Sequence, residues 1–112
     1  MKYYHDLFMS ENLISKRTDI ITKIMNDQWQ FEKYLVVLTK NEKNHLEFFN
    51  SVLLLQRVMS KDDLFVVGIA DGYQGALELV QKITEEVYAT TGNVDIRGYL
   101  LAKEREYEES NE

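Results

Sequence analysis

The chain has 112 residues, of which 45% are hydrophobic and 29% charged, with a formal net charge of −6 and neither cysteine nor proline. That is one domain's worth of chain, able to bury about two thirds of its unfolded surface around a single core. The missing cysteines exclude a disulfide scaffold, a thiolate metal site and cysteine catalysis, the missing prolines exclude a PxxP ligand, and the acidic balance argues against a general nucleic-acid binder.

The chain order reads as follows. Met1 to Met9 is aromatic-rich and alternates, with Tyr3, His5, Leu7 and Met9 on one side, which predicts a strand, and its place at the chain start is compatible with an edge. Ser10 offers an N-cap to a helix over 11–27, whose apolar face holds Leu13, Ile14, Ile20, Ile21, Ile24 and Met25. Residues 30–40 predict a second strand. Its run Leu35-Val36-Val37-Leu38 suits burial on both faces, with Trp29 at the corner before it. Asn41-Glu42-Lys43-Asn44 is a polar turn. Residues 45–60 fit both helical and strand spacing; a helix over 51–59 is the reading taken. Ser60-Lys61-Asp62-Asp63 is a second polar turn.

Leu64 to Ala70 predicts a third strand, and Gly68 within it signals a bulge or a close backbone approach. Asp71 then stands as N-cap of a long helix, with Gln74 at capping-box spacing and Gly92 as its stop. Its expected apolar stripe is Ala76, Leu77, Val80, Ile83, Thr84 and Val87. Val94 to Leu101 alternates as a last strand, and residues 103–112 are a charged acidic tail, either a short helical extension or disordered.

This order predicts an α+β domain over residues 1–102 of the ferredoxin-like βαββαβ kind. It would have four antiparallel strands, two main helices, and an apolar insert over about 41–62 between strands 2 and 3. Short likenesses between Asp6-Leu7-Phe8 and Asp63-Leu64-Phe65 agree with a doubled βαβ. Right-handed crossovers would put strands 1 and 3 at the centre and leave the very apolar strand 2 on an edge. Such an edge needs a cover. The insert, with Phe48, Phe49, Val52, Leu53 and Leu55 as the candidate interface, or a second subunit could supply it. A homodimer is the expectation.

Charge is uneven. Residues 1–61 carry nine Lys/Arg against seven Asp/Glu, and residues 62–112 carry four against twelve. The acidic half reads as a solvated face, or as a surface for a basic partner. Met1 to Asp6 lacks the apolar run of a signal peptide. The longest apolar runs, such as Val52-Leu53-Leu54-Leu55, fall far short of the ~20 residues of a membrane span. A cytoplasmic protein without membrane contact is expected.

The residues that could carry chemistry are few. His5 and His45 stand on different elements with no HxxxH or HExxH spacing, so no metal site is assigned. No GxSxG elbow is present, no catalytic residue is assigned, and no cofactor is implied. The Gly68-Ile69-Ala70-Asp71-Gly72-Tyr73-Gln74-Gly75 turn resembles a phosphate cradle only in its glycines; Asp71 would repel a phosphate there. Two functions follow. The first is a small protein-interaction or regulatory module without catalysis of its own. The alternative is a small-molecule sensor or weak enzyme whose pocket lies by this turn, lined by Asp71, Gly72, Tyr73 and His5.

Overall fold

The computed structural model describes residues 1–28, 30, 32–39, 46–56 and 64–111, with only the backbone of Thr39 and Gln56. Trp29, His45 and the expected turns 41–44 and 60–63 lie outside the described residues. The protein is α+β. Its elements are β1 (Lys2–Met9), a 3-10 helix (Glu11–Lys16), α1 (Arg17–Met25), β2 (Lys33–Thr39), β3 (Glu47–Asn50), a second 3-10 helix (Ser51–Gln56), β4 (Leu64–Asp71), α2 (Gly72–Thr91) and α3 (Ile96–Ser110).

The four strands form one mixed sheet in the order β1-β4-β2-β3. β1 runs parallel to β4, whereas β2 is antiparallel to both β4 and β3. The ferredoxin-like arrangement, with strands 1 and 3 central and all neighbours antiparallel, is not what this order describes. β1 is an edge strand, where the ferredoxin-like order would have it central, and β4 and β2 are central.

Two corrections account for the difference. Val94–Leu101 was expected to be a strand, but Ile96–Ser110 is helical. The Asp95 side chain accepts the Gly98 N–H at 3.0 Å, a helix N-cap. Ile96, Leu100 and Glu104 then fall one turn apart on the buried face. The alternation of Val94, Ile96, Gly98 and Leu100 is real but short, and the four-residue period runs longer. The second correction concerns 51–59. Both spacings occur there: Glu47–Asn50 is a strand on β2, and Ser51–Gln56 is helical as expected but as a 3-10 helix, with residues 57–59 outside the described residues.

That strand changes the meaning of β2. Leu35, Val36, Val37 and Leu38 are all essentially inaccessible, as expected for a strand covered on both faces. β2 is no edge, however: β3 pairs with it on one side and β4 on the other. The exposed apolar edge that made a homodimer attractive is covered by the same chain.

The sheet separates two cores. Leu35 and Val37 face the 3-10 helix and α1, with Leu13, Ile20, Ile24, Phe49 and Leu54. Val36 and Leu38 face α2 and α3, with Ala76, Leu79, Ile83, Val87, Ile96 and Leu100. Helices thus cover both faces. The α2 stripe is rotated slightly from expectation: Leu79 is buried and Leu77 is 40% exposed. In the first helical segment Ile14 and Met25 are exposed, because a 3-10 turn precedes the α-helix and shifts the angular spacing.

Gly68 sits at a bulge. One step along β2, from Val36 to Val37, matches two along β4, from Gly68 to Val66. Gly72 opens α2 with φ +77°, and its N–H donates to the Glu32 carbonyl at 2.7 Å. Gly92 ends α2 in the left-handed conformation, as its position predicted.

Candidate functional site

β1 and β4 lie side by side and parallel, so their carboxyl ends meet. The chain leaving β1 enters the 3-10 helix and α1 on one face; the chain leaving β4 enters α2 on the other. Connections that diverge to opposite faces open a crevice between the two strand ends, where open α/β sheets commonly bind ligands. An open cleft of about 520 Å³ lies there. Met9, Ser10, Glu11 and Asn12 line one side, and Asp71, Gln74, Gly75, Glu78, Leu79 and Lys82 the other.

The two sides are stitched together by polar contacts. The Ser10 N–H donates to the Ile69 carbonyl at 3.1 Å. The Ser10 hydroxyl accepts the Asp71 N–H at 3.0 Å. Asn12 Nδ2 donates to Asp71 Oδ2 at 2.6 Å, and Lys33 Nζ stands 3.9 Å from the other carboxylate oxygen. Neither Ser10 nor Asp71 caps its own helix through its side chain, although both occupy the N-cap positions expected of them. The two residues tie β1 to β4 instead. Gly75 leaves room on the α2 wall, where a Cβ would stand 3.3 Å from the Ser10 hydroxyl.

The lining carries three carboxylates, Glu11, Asp71 and Glu78, against the single ammonium of Lys82. It therefore favours a neutral or cationic polar ligand and disfavours a phosphate. Met9 and Leu79, both buried, add an apolar part to the lining against which such a ligand can lose some of its water.

Of the four residues expected to bind a ligand, Asp71 alone lines this cleft. Gly72 shapes the turn beside it. Tyr73 belongs to an aromatic cluster with Tyr34 and Phe48, at centroid distances of 6.2 and 5.6 Å. His5 lies further back along β1, against α3. In the sequence Ser10 and Gln74 read as helix-capping residues, and Asn12, Glu78 and Lys82 carry no sign of a part in a ligand site. Their common signal is that two strands end in a polar residue followed by a helix, which becomes informative only once the strands are known to be parallel neighbours.

The expected interface residues divide. Phe49 is buried in the core beneath α1 with Leu54, and Leu53 packs against that core. Phe48 packs on the opposite core beside Tyr34, and Val52 is half-buried. Leu55 is 39% exposed. The insert completes the chain's own core.

His5 belongs to a second cluster. Between Tyr3 and Phe8, five residues of β1 span two of β4, Val66 to Gly68, so this stretch leaves the regular ladder. Side chains take up its backbone groups. The His5 N–H donates to Glu104 Oε1 at 2.9 Å, and Arg17 donates to the His5 carbonyl at 3.2 Å. His5 Nδ1 lies 2.7 Å from the same Glu104 oxygen, and Tyr107 stacks on the imidazole at 4.3 Å. Lys2 bonds Glu108 and stands 3.7 Å from Glu104.

Burial alone would raise the Glu104 carboxyl, but the His5 N–H, the His5 ring and nearby Lys2 outweigh it and hold the group below its usual value of 4.5. A depressed folded-state value stabilises the fold above the unfolded value, and that contribution is lost as pH falls through the folded one. The melting temperature of the wild type should accordingly exceed that of Glu104→Gln at neutral pH. The gap should close on acidification below about pH 4.5. A gap that persists unchanged in acid would remove Glu104 ionisation as its source.

Among the described residues no group of three His, Asp or Glu could hold a metal ion, and no helix is long and apolar enough to cross a membrane. No protein-family model, curated protein or solved structure matches the chain.

Proposed function

We propose that the protein is a small-molecule-binding module without catalysis of its own, and that the cleft between the carboxyl ends of β1 and β4 is its binding site. The observation that supports this reading is the topology. Two adjacent parallel strands send their chains to opposite faces, and a mostly polar cleft whose lining includes Met9 and Leu79 lies between them. The ligand is a small polar molecule, neutral or cationic, bearing hydroxyl or amino groups that Glu78, Asp71 and Gln74 can engage. The partner-binding reading of the apolar insert loses its main support, because Phe49 and Leu54 are spent on the core.

The test is a thermal-shift screen of amino acids, polyamines, sugars, nucleosides and their phosphorylated counterparts. A ligand at 100 times its Kd stabilises the folded state by about 2.7 kcal/mol, a readily measured rise. Gly75→Leu is the control. Its Cβ would stand 3.3 Å from the Ser10 hydroxyl, which must give by a few tenths of an ångström, while leucine is a better helix former than glycine by about 0.8 kcal/mol; the variant's own cooperative melt shows that it is folded. The rise should appear for uncharged or cationic members and vanish in Gly75→Leu. A panel with no active compound, or a rise that survives the substitution, would remove the cleft as the site.

A further inference from the structure

We propose that the second half of α3 is a releasable strap over the outer edge of β1, and that it excludes pairing of this edge with the β1 of a second copy of the chain. The cleft plays no part in this device.

The docked state is built from polar contacts. Beyond Leu100, the buried residue of α3 is Glu104. Glu104 takes a place that a neighbouring strand would otherwise fill, accepting the His5 backbone N–H. Tyr107 and Glu108 add a ring stack on His5 and an ion pair with Lys2. Among the described residues no strand pairs with the outer edge of β1. The first half of α3 is anchored differently, through Ile96 and Leu100 in the core. The two halves of one helix thus differ in what holds them. The apolar half belongs to the fold, and the polar half depends on one buried carboxylate and its partners.

An unpaired edge strand is a template for another strand, and proteins commonly block it with charge, irregularity or a covering element. β1 uses the last two, since residues between Tyr3 and Phe8 leave the ladder and α3 lies against it. The occupant follows from charge. An antiparallel pairing of two β1 strands centred on Tyr4 sets Lys2 opposite Asp6 of the second copy, and Asp6 opposite its Lys2. While the strap is docked, Lys2 is engaged by Glu108 and Glu104. Release frees Lys2 for Asp6 of the second copy and the His5 N–H for a strand carbonyl. Docking and self-pairing compete for the same groups, so each is linked to loss of the other.

The experiment is sedimentation equilibrium with amide hydrogen exchange on the full chain. In Glu104→Ala, exchange should speed up over Leu101–Ser110 but not over α2. Self-association should strengthen at least ~10-fold over wild type. Adding Asp6→Lys sets like charges opposite each other and should return the protein to wild-type association. Adding Lys2→Asp to that pair should restore the dimer. If Glu104→Ala does not fold, Glu104→Gln decides, because it keeps the shape and removes the charge facing Lys2. It should show the same faster exchange with a smaller gain in association, again cancelled by Asp6→Lys. The proposal is overturned if the folded variant shows no gain in association, if the gain survives Asp6→Lys, or if exchange quickens uniformly across α2 and α3.

Discussion

Leu54→Asp will unfold the protein or cost it more than about 4 kcal/mol, whereas Leu55→Asp, one residue further on, will change stability by less than about 1 kcal/mol. Leu54 is 4% exposed and packs under α1 with Phe49, Leu35 and Ile20. A carboxylate there loses its hydration and finds no charged partner among those apolar neighbours. Leu55 is 39% exposed and can place a carboxylate in water. Urea denaturation of both variants checks the contrast. The pair also separates the two readings of the insert. If the run Val52–Leu55 served an interface, the exposed Leu55 would be the sensitive position and its substitution would change the assembly. A well-folded Leu54→Asp with the wild-type midpoint would show that the insert is not part of this core.

The contrast also shows what a run of apolar residues can and cannot say. In Leu35-Val36-Val37-Leu38 the run itself announced burial on both faces, and the strand has it, because a short unbroken run with β-branched residues at its centre favours a covered strand. In Val52-Leu53-Leu54-Leu55 the same signal was silent on geometry. The 3-10 turn buries Leu54 and exposes Leu55 directly after it, with neither the helical nor the strand period. The strand before it is four residues long, too short to show a period of its own. Its pairing with β2 is a long-range fact, and it alone decided which strand lay at the edge.

The last element failed for a related reason. Val94, Ile96, Gly98 and Leu100 alternate, and alternation over seven residues was read as a strand. The competing signal began at the same place. Asp95 before Ile96 is an N-cap, and Ile96, Leu100 and Glu104 continue at four-residue spacing into the acidic segment, where a helical extension is one of the two expectations. Glu104 hid the continuation because a charged residue is a poor guide to a buried face. It is buried because a backbone N–H and a histidine ring on β1 meet it. Ser10 and Asp71 followed the same logic at the cleft. Their capping positions were legible, but not their use: each reaches across to the other strand, and that choice exists only once β1 and β4 are neighbours.

Gly68→Val will cost about 3 kcal/mol and will loosen the cleft as well as the core. Gly68 lies in the central strand β4, at its bulge, where three elements converge. An added Cβ would stand 2.8 Å from Leu79 Cδ2, 3.3 Å from the Phe8 carbonyl oxygen and 3.4 Å from Val36 Cβ. Leu79 is itself 4% exposed, so its tip has no free space to enter, and the Phe8 carbonyl is backbone of β1. Valine brings two further methyl groups into the same gap. The least costly response is to push β1 and α2 away from β4. Those two elements carry Met9 and Ser10 on one side of the cleft and Leu79 and Gly75 on the other. The Asp71 N–H to Ser10 bond spans that separation and should weaken with it. Denaturation should give the loss in stability, and hydrogen exchange should show the Asp71 amide opening more than the amides of α1 on the opposite face. Equal opening at both places would mean that the strain spreads through the whole sheet. In that case the bulge at Gly68 serves packing in general and does not set the width between β1 and α2.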